Sequence, residues 1–300
     1  MKSPVQAPLM ELMQSANRVR KENGHVNLNV CALVNAKSGR CSEDCKFCAQ
    51  SARYKTKAPT FPLISKDTII KHATEAKKMG AGRFSIVTSG HKLKKGEFDL
   101  IANTIPEVAK LGLLPCASLG ALSHAQLNEL KSAGLVRYHH NLETSKRFYP
   151  SIVSTHPYED RVNTVIAAKD VGLEVCSGGI FAIGETWQDR QDLALLLKEL
   201  DVDGAPLNFL TPFPGTPLEN LPPIKSVDAV RIVALFRHTL PKACVKIIAG
   251  RETQLKDFQA MLFAAGATGL MVGGYLIRKG RDPLEDVRLI REIGELWRTL

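Results

Sequence analysis

Short runs of apolar and β-branched residues alternate with amphipathic stretches of helical period from one end of the chain to the other. The runs at 28–35, 83–88, 113–118, 135–141, 173–180, 206–211, 245–249 and 268–273 predict strands. The stretches near 66–80, 97–111, 124–132, 157–171, 187–200, 226–240, 253–265 and 284–297 predict helices. Strict alternation demands parallel strands joined by helical crossovers, and eight such units is the number that closes a barrel. A (β/α)8 TIM-type barrel is therefore the first expectation, with an open doubly wound sheet as the alternative. No low-complexity linker divides the chain, so 1–300 reads as one domain. Its segment 1–27 reads as an extra N-terminal helix packed on the outside or bottom of the barrel. The proline-rich 211–217 predicts a rigid loop after a strand, because each Pro forbids helix and removes a donor.

At 44% hydrophobic, the 300 residues fill a sizeable core. Lys and Arg number 40 against 30 Asp and Glu, a formal charge of +10. They are spread along most helical stretches without aromatic-interleaved basic runs, so a solvated basic surface is expected and no nucleic-acid partner. No apolar run approaches the roughly 18 residues that span a bilayer, so no membrane partner is expected. Residues 1–13 lack the apolar core of a signal peptide, which points to the cytoplasm. The seven Cys are an odd number and three fall within 41–48, which disfavours a disulfide framework and points to metal or redox chemistry.

That stretch, Cys41-Ser42-Glu43-Asp44-Cys45-Lys46-Phe47-Cys48, lies in a loop directly after the first strand run. Three soft thiolates with no nearby His or fourth Cys leave one metal position open. That suits an iron–sulfur cluster with a vacant iron; a zinc knuckle with a distant fourth ligand is the alternative. The three Cys, with the aromatic Phe47 before the last, resemble the radical S-adenosylmethionine (SAM) superfamily signature. The run 41–56, His140-Asn141-Leu142-Glu143-Thr144, Val175-Cys176-Ser177-Gly178-Gly179-Ile180 and Ala249-Gly250-Arg251-Glu252 are similar, more closely, to the biotin synthase family.

The resemblance implies a 4Fe-4S cluster on Cys41, Cys45 and Cys48 that binds SAM and splits it to a 5′-deoxyadenosyl radical. It also implies dethiobiotin as substrate, a second cluster that gives up sulfur, and an electron donor such as flavodoxin or ferredoxin; a homodimer is left open. Strand geometry carried past 138 would put His139, Asn141 and Glu143 on one inward face, where a packed barrel prefers Val, Ile or Leu. The resemblance assigns Asn141 and Glu143 to the SAM ribose and Arg161 to the SAM carboxylate. It assigns Asn141 and Asn208 to the ureido ring, and places Ile180 in the adenine-side segment with Gly178 and Gly179.

The chain departs from the usual family pattern at the second cluster. Two ligand positions match, as Cys116 and Cys176, but Ser85 stands at the second-strand Cys and Lys246 at the seventh-strand Arg. Ser is a poor iron ligand, and Lys cannot copy a guanidinium fork. Cys31 appears on the first strand where the common form has Ser, and Gly204 and Gly269 are also Ser in that form, so a wider cavity is expected. The expectation is an auxiliary four-iron rather than 2Fe-2S cluster on Cys31, Cys116 and Cys176, with an extra sulfide on the fourth iron. Cys244 reads as a structural Cys. The alternatives are sulfur insertion into an octanoyl chain as half of a two-part lipoyl synthase, a maturase without an auxiliary cluster, and a non-catalytic iron–sulfur scaffold.

Overall fold

The structure is a computed structural model that describes residues 7–278 and 280–300. Its strands are β1 (Asn29–Lys37), β2 (Arg83–Thr88), β3 (Leu114–Ser118), β4 (Arg137–His139), β5 (Glu174–Cys176), β6 (Gly179–Phe181), β7 (Gly204–Phe209), β8 (Cys244–Ile247) and β9 (Gly269–Met271). They run in the order β5-β4-β3-β2-β1-β9-β8-β7-β6, all ladders are parallel, and a β5–β7 pairing closes the ring. The fold is thus a (β/α)8 barrel, and the open sheet is excluded. The helices are α1 (Leu9–Glu22), α2 (Lys66–Lys78), α3 (Lys95–Ala102), α4 (Ile105–Lys110), α5 (His124–Ser132), α6 (Tyr158–Asp170), α7 (Trp187–Glu199), α8 (Ser226–Thr239), α9 (Gln259–Ala264) and α10 (Pro283–Thr299). Residues 1–6 of the expected extension lie outside the described residues; the rest carries α1, packed on α8 through Leu12 and Ala16 against Ala234. That second neighbour explains why α8 is apolar on more than one stripe, with Ala229 through Phe236 buried apart from Arg231.

The expected strand 173–180 is two strands, β5 and β6, and the cause is Pro206 in β7. Ser177 N donates to Gly204 O at 2.9 Å, but the return bond of a parallel ladder would come from the nitrogen of residue 206, which as proline has no hydrogen. The chain then turns toward β4, where Gly178 is held. Its carbonyl accepts from Leu142 N at 3.1 Å and Glu143 N at 3.0 Å, and its N–H donates to the Asn141 Oδ1 at 3.2 Å. A Cβ at 178 would fall 2.0 Å from Pro206 O. Gly178→Ala is therefore expected to cost about 3 kcal/mol by overpacking, read as a lowered midpoint in chemical denaturation.

Two helix predictions also change. The stretch 97–111 divides into α3 and α4, because Pro106 in the first turn of α4 cannot donate into a continuing helix. The stretch 253–265 opens with a π turn at Arg251–Leu255 and a 3-10 turn at Lys256–Phe258 before α9 begins. Lys256 has φ +46, which no helix continues through.

Candidate active site

At the C-terminal ends of the strands the barrel opens into a cavity of about 590 Å3, the face where barrels of this kind carry their chemistry. Cys41, Cys45, Phe47 and Cys48 all line it. The loop that bears them closes on itself, with Cys41 N donating to Gln50 O at 3.0 Å and Ala52 N to Cys41 O at 2.7 Å. It is pinned from outside by Asp44, whose carboxylate accepts from Ser154 N at 2.9 Å and Thr155 N at 3.2 Å. Partial burial would raise the pKa of that carboxyl, but the hydrogen bonds from Ser154 and Thr155 prevail and hold it at about 2. Burial pushes the Cys45 thiol up to about 12 and Cys48 to about 11. Such thiols shed their protons when a cation arrives to take the sulfur. Among the described residues, Glu43, His91 and His156 are the group whose ligand atoms all lie within 4.8 Å of one another. The three thiols are not drawn together in that way, whereas sulfurs on one tetrahedral zinc sit about 3.8 Å apart.

The end of β4 corrects the periodicity argument. The strand stops at His139, Glu143 turns through φ +70, and His139, His140, Asn141 and Glu143 all line the cavity. Alternation would have turned His140 away; the early exit of the chain toward Gly178 brings it in. Glu143 is buried, which raises its pKa against the opposing pull of Arg161 and the Asn141 amide. Its Oε1 lies 3.6 Å from Arg161 Nη1, and its Oε2 is buried without a partner. Arg161, from α6, donates to Asn141 O at 2.9 Å and to the Tyr149 hydroxyl at 2.8 Å. The Tyr149 hydroxyl also meets His156 Nε2 at 2.7 Å, and His156 Nδ1 meets Glu43 at 2.7 Å. One hydrogen-bonded chain thus joins Arg161 to the thiol loop. Asn208, on β7, donates to Gly179 O at 3.1 Å and accepts from Ala249 N at 3.2 Å, and with Ile180 it also lines the cavity.

Deeper in, the barrel interior holds Cys31, Ser85, Cys176 and Lys246 along the same cavity. Cys116, in register with Ser85 and Arg137, is fully buried beside them. Burial pushes its thiol up to about 11, and Cys31 adds to the shift through its own charge. Lys246 Nζ donates to Cys31 Sγ at 3.1 Å. Burial would lower the Lys246 pKa, but Cys31, Cys176 and Cys244 more than reverse this and leave it above its ordinary value. The expectation that Gly204 and Gly269 widen the cavity does not hold. A Cβ at 204 would fall 3.0 Å from Cys176 Sγ, and one at 269 would fall 3.0 Å from Lys246 Cγ. The space those glycines release is filled by Cys176, Arg137 and the Lys246 stem.

Residues 36–197 match the Radical SAM superfamily model, and 206–295 match the Biotin and Thiamin Synthesis associated domain. The chain is 47% identical to the biotin synthase of Thermodesulfovibrio yellowstonii, covering 95% of this chain and 90% of the relative. It is 50% identical to the biotin synthase of Thermotoga petrophila, covering 96% of both. The chain belongs to the biotin synthase family. It is a radical SAM enzyme of the sulfur-inserting kind, and membership implies a 4Fe-4S cluster and SAM. Among solved structures, a methylornithine synthase aligns with TM-score 0.79 at 19% identity over 95% of this chain and 88% of its own. The FeFe-hydrogenase maturase of Carboxydothermus hydrogenoformans aligns at 0.81 and 16% over 97% and 73%. At those identities the likeness speaks for the barrel alone. No helix among the described residues is long and apolar enough to cross a membrane.

For a biotin synthase family member, sequence reasoning missed Asp44, His91, Tyr149 and His156. Glu43 and Asp44 stand inside the Cys motif, which is the one signal that marked them. His156 and Tyr149 are distant in sequence and reach the thiol loop only because α6 and the turn before it fold back on it.

Proposed function

We propose that this chain inserts sulfur into dethiobiotin to give biotin. Cys41, Cys45 and Cys48 would hold the 4Fe-4S cluster, and Cys31, Cys116 and Cys176 an auxiliary four-iron cluster carrying an extra sulfide. The carrying observation is the second trio of thiols in the barrel interior, set among buried polar groups of which two have donors without a partner. Ser85 Oγ and Arg137 Nη1 lack partners, Lys246 reaches Cys31, and a barrel of this kind ordinarily fills these layers with Val, Ile or Leu. Such a donor set suits an anionic sulfur-rich group. When bound, the two clusters supply the electron that cleaves SAM and the sulfur that enters product.

The protein's own groups do the rest. Arg161 offers a fixed cation for the SAM carboxylate, held by Tyr149 and by the Asn141 carbonyl. Glu143 presents its unpartnered Oε2 as acceptor for the ribose. Phe47 and Ile180 give the cavity an apolar wall that excludes water from a carbon radical. Asn141 accepts from Gly178 N through its Oδ1 and Asn208 donates one N–H to Gly179 O, so each primary amide keeps an N–H for the ureido carbonyl. The basic surface suits an acidic electron donor such as flavodoxin or ferredoxin, and a cytoplasmic setting would keep the thiols reduced.

Anaerobic reconstitution followed by incubation with SAM and reductant tests this. About eight irons per chain is expected, against about six for a four-iron plus two-iron pair and about four for a single cluster. Dethiobiotin should yield a thioether and an octanoyl carrier peptide none. The reverse product pattern would sink the substrate assignment.

A further inference from the structure

We infer that Arg137 holds the auxiliary sulfur set and tunes its reduction potential, by bringing a guanidinium N–H and a permanent positive charge beside Cys176 where Gly204 has no side chain to separate them. The inference rests on the reading that Cys31, Cys116 and Cys176 carry an auxiliary cluster.

Arg137 starts β4, in register with Cys116 on one side and Glu174 on the other. Its side chain is 5% exposed, while that of Glu174 is 37% exposed. Nε and Nη2 both reach Glu174 Oε2, at 2.8 and 2.7 Å. Arg83 Nη1 meets the same oxygen at 3.0 Å. One carboxylate therefore answers two guanidiniums, and a positive charge remains uncompensated inside the barrel. The third nitrogen, Nη1, is buried and has no partner. A buried charged donor without an acceptor is destabilising, so the arrangement calls for an acceptor that the polypeptide does not provide.

The position of that nitrogen points to the sulfur set as the acceptor. A Cβ at Gly204 would fall 3.0 Å from Cys176 Sγ and 3.3 Å from Arg137 Nη1, so both atoms pack into the space that a side chain at 204 would take. Lys246 attends Cys31 at 3.1 Å from a different strand, so the sulfurs meet cations from two sides. The division of labour is chemical. Lysine exchanges its proton, but a guanidinium stays charged, and N–H donors to cluster sulfur stabilise the more negative, reduced state. A purely structural Arg137 would need only the two nitrogens on Glu174.

The test uses the full chain reconstituted anaerobically, as wild type, Arg137→Met, Arg137→Lys and Gly204→Ala. Iron and sulfide per chain are counted, and both clusters are titrated by EPR against potential. Arg137→Met is expected to move the auxiliary potential negative and to release auxiliary sulfide several-fold faster on reduction, with the SAM-cluster potential unchanged. Arg137→Lys should recover part of the shift. Gly204→Ala keeps the charge and the Glu174 pair but wedges a methyl between Nη1 and Cys176, and should shift the potential in the same direction. Wild-type potentials in both Arg137→Met and Gly204→Ala would overturn the inference alone. If Arg137→Met does not fold, Gly204→Ala decides: a negative shift supports the inference and none overturns it. A wild-type chain that takes up about four irons would instead overturn the auxiliary-site reading, and this inference with it.

Discussion

Cys31→Ala is expected to abolish biotin formation while SAM cleavage to deoxyadenosine continues near its wild-type rate. The two thiol trios sit on different parts of the barrel, one in the loop after β1 and the other in the barrel interior, so loss of one leaves the other intact. Removing Cys31 takes away a buried sulfur and leaves Lys246 without its 3.1 Å partner, an unpaired ammonium beside the remaining thiols. Iron should fall from about eight to about four per chain, and the surviving signal should be that of the SAM-binding cluster. Cys31→Ser controls for packing, because it preserves volume but offers a poor iron ligand, and should behave like the alanine variant. Unimpaired biotin yield in either variant would defeat the placement of the auxiliary site on Cys31.

Arg251→Leu should lower stability by about 3–5 kcal/mol, because it breaks a buried ion pair from one side. Arg251 Nη2 lies 2.8 Å from Asp286 Oδ1, and both side chains are 1% exposed. The same nitrogen donates to Met271 O at 3.1 Å and Glu252 at 3.0 Å. One guanidinium thus ties the end of β9 and the π turn to the first turn of α10. Arg281 also reaches Asp286, at 2.8 Å, and softens the loss without replacing the links to β9. Denaturant melts of Arg251→Leu, Asp286→Leu and the double variant form a cycle. The double variant should recover much of the loss of either single change, since the unpaired charge is what destabilises. Additive losses would show that the pair does not act as a unit.

Cys31→Ala follows from the sequence, but neither Arg251→Leu nor Asp286→Leu could have been chosen from it with its reason attached. Arg251 was visible there only as part of a motif, and Asp286 as one acidic residue on an amphipathic helix. The same contrast runs through the active site. The eight-fold alternation of strand and helix is local information, written in hydrophobic period, so the barrel was legible. The loop of Cys41, Cys45 and Cys48 on the cavity was legible too, because their short spacing holds them in one loop after β1.

What the sequence alone settled, then, is the barrel and its thiol loop, since both depend on neighbours along the chain. Tertiary structure decided the break between β5 and β6, which needs Pro206 of a neighbouring strand, and the left-handed turn at Glu143, which follows Gly178 carbonyl into the gap. It also decided that Gly204 and Gly269 are filled by Cys176, Arg137 and Lys246 rather than left open. Those features arise from approaches between residues far apart in sequence, and closing the ring is what brings them into contact.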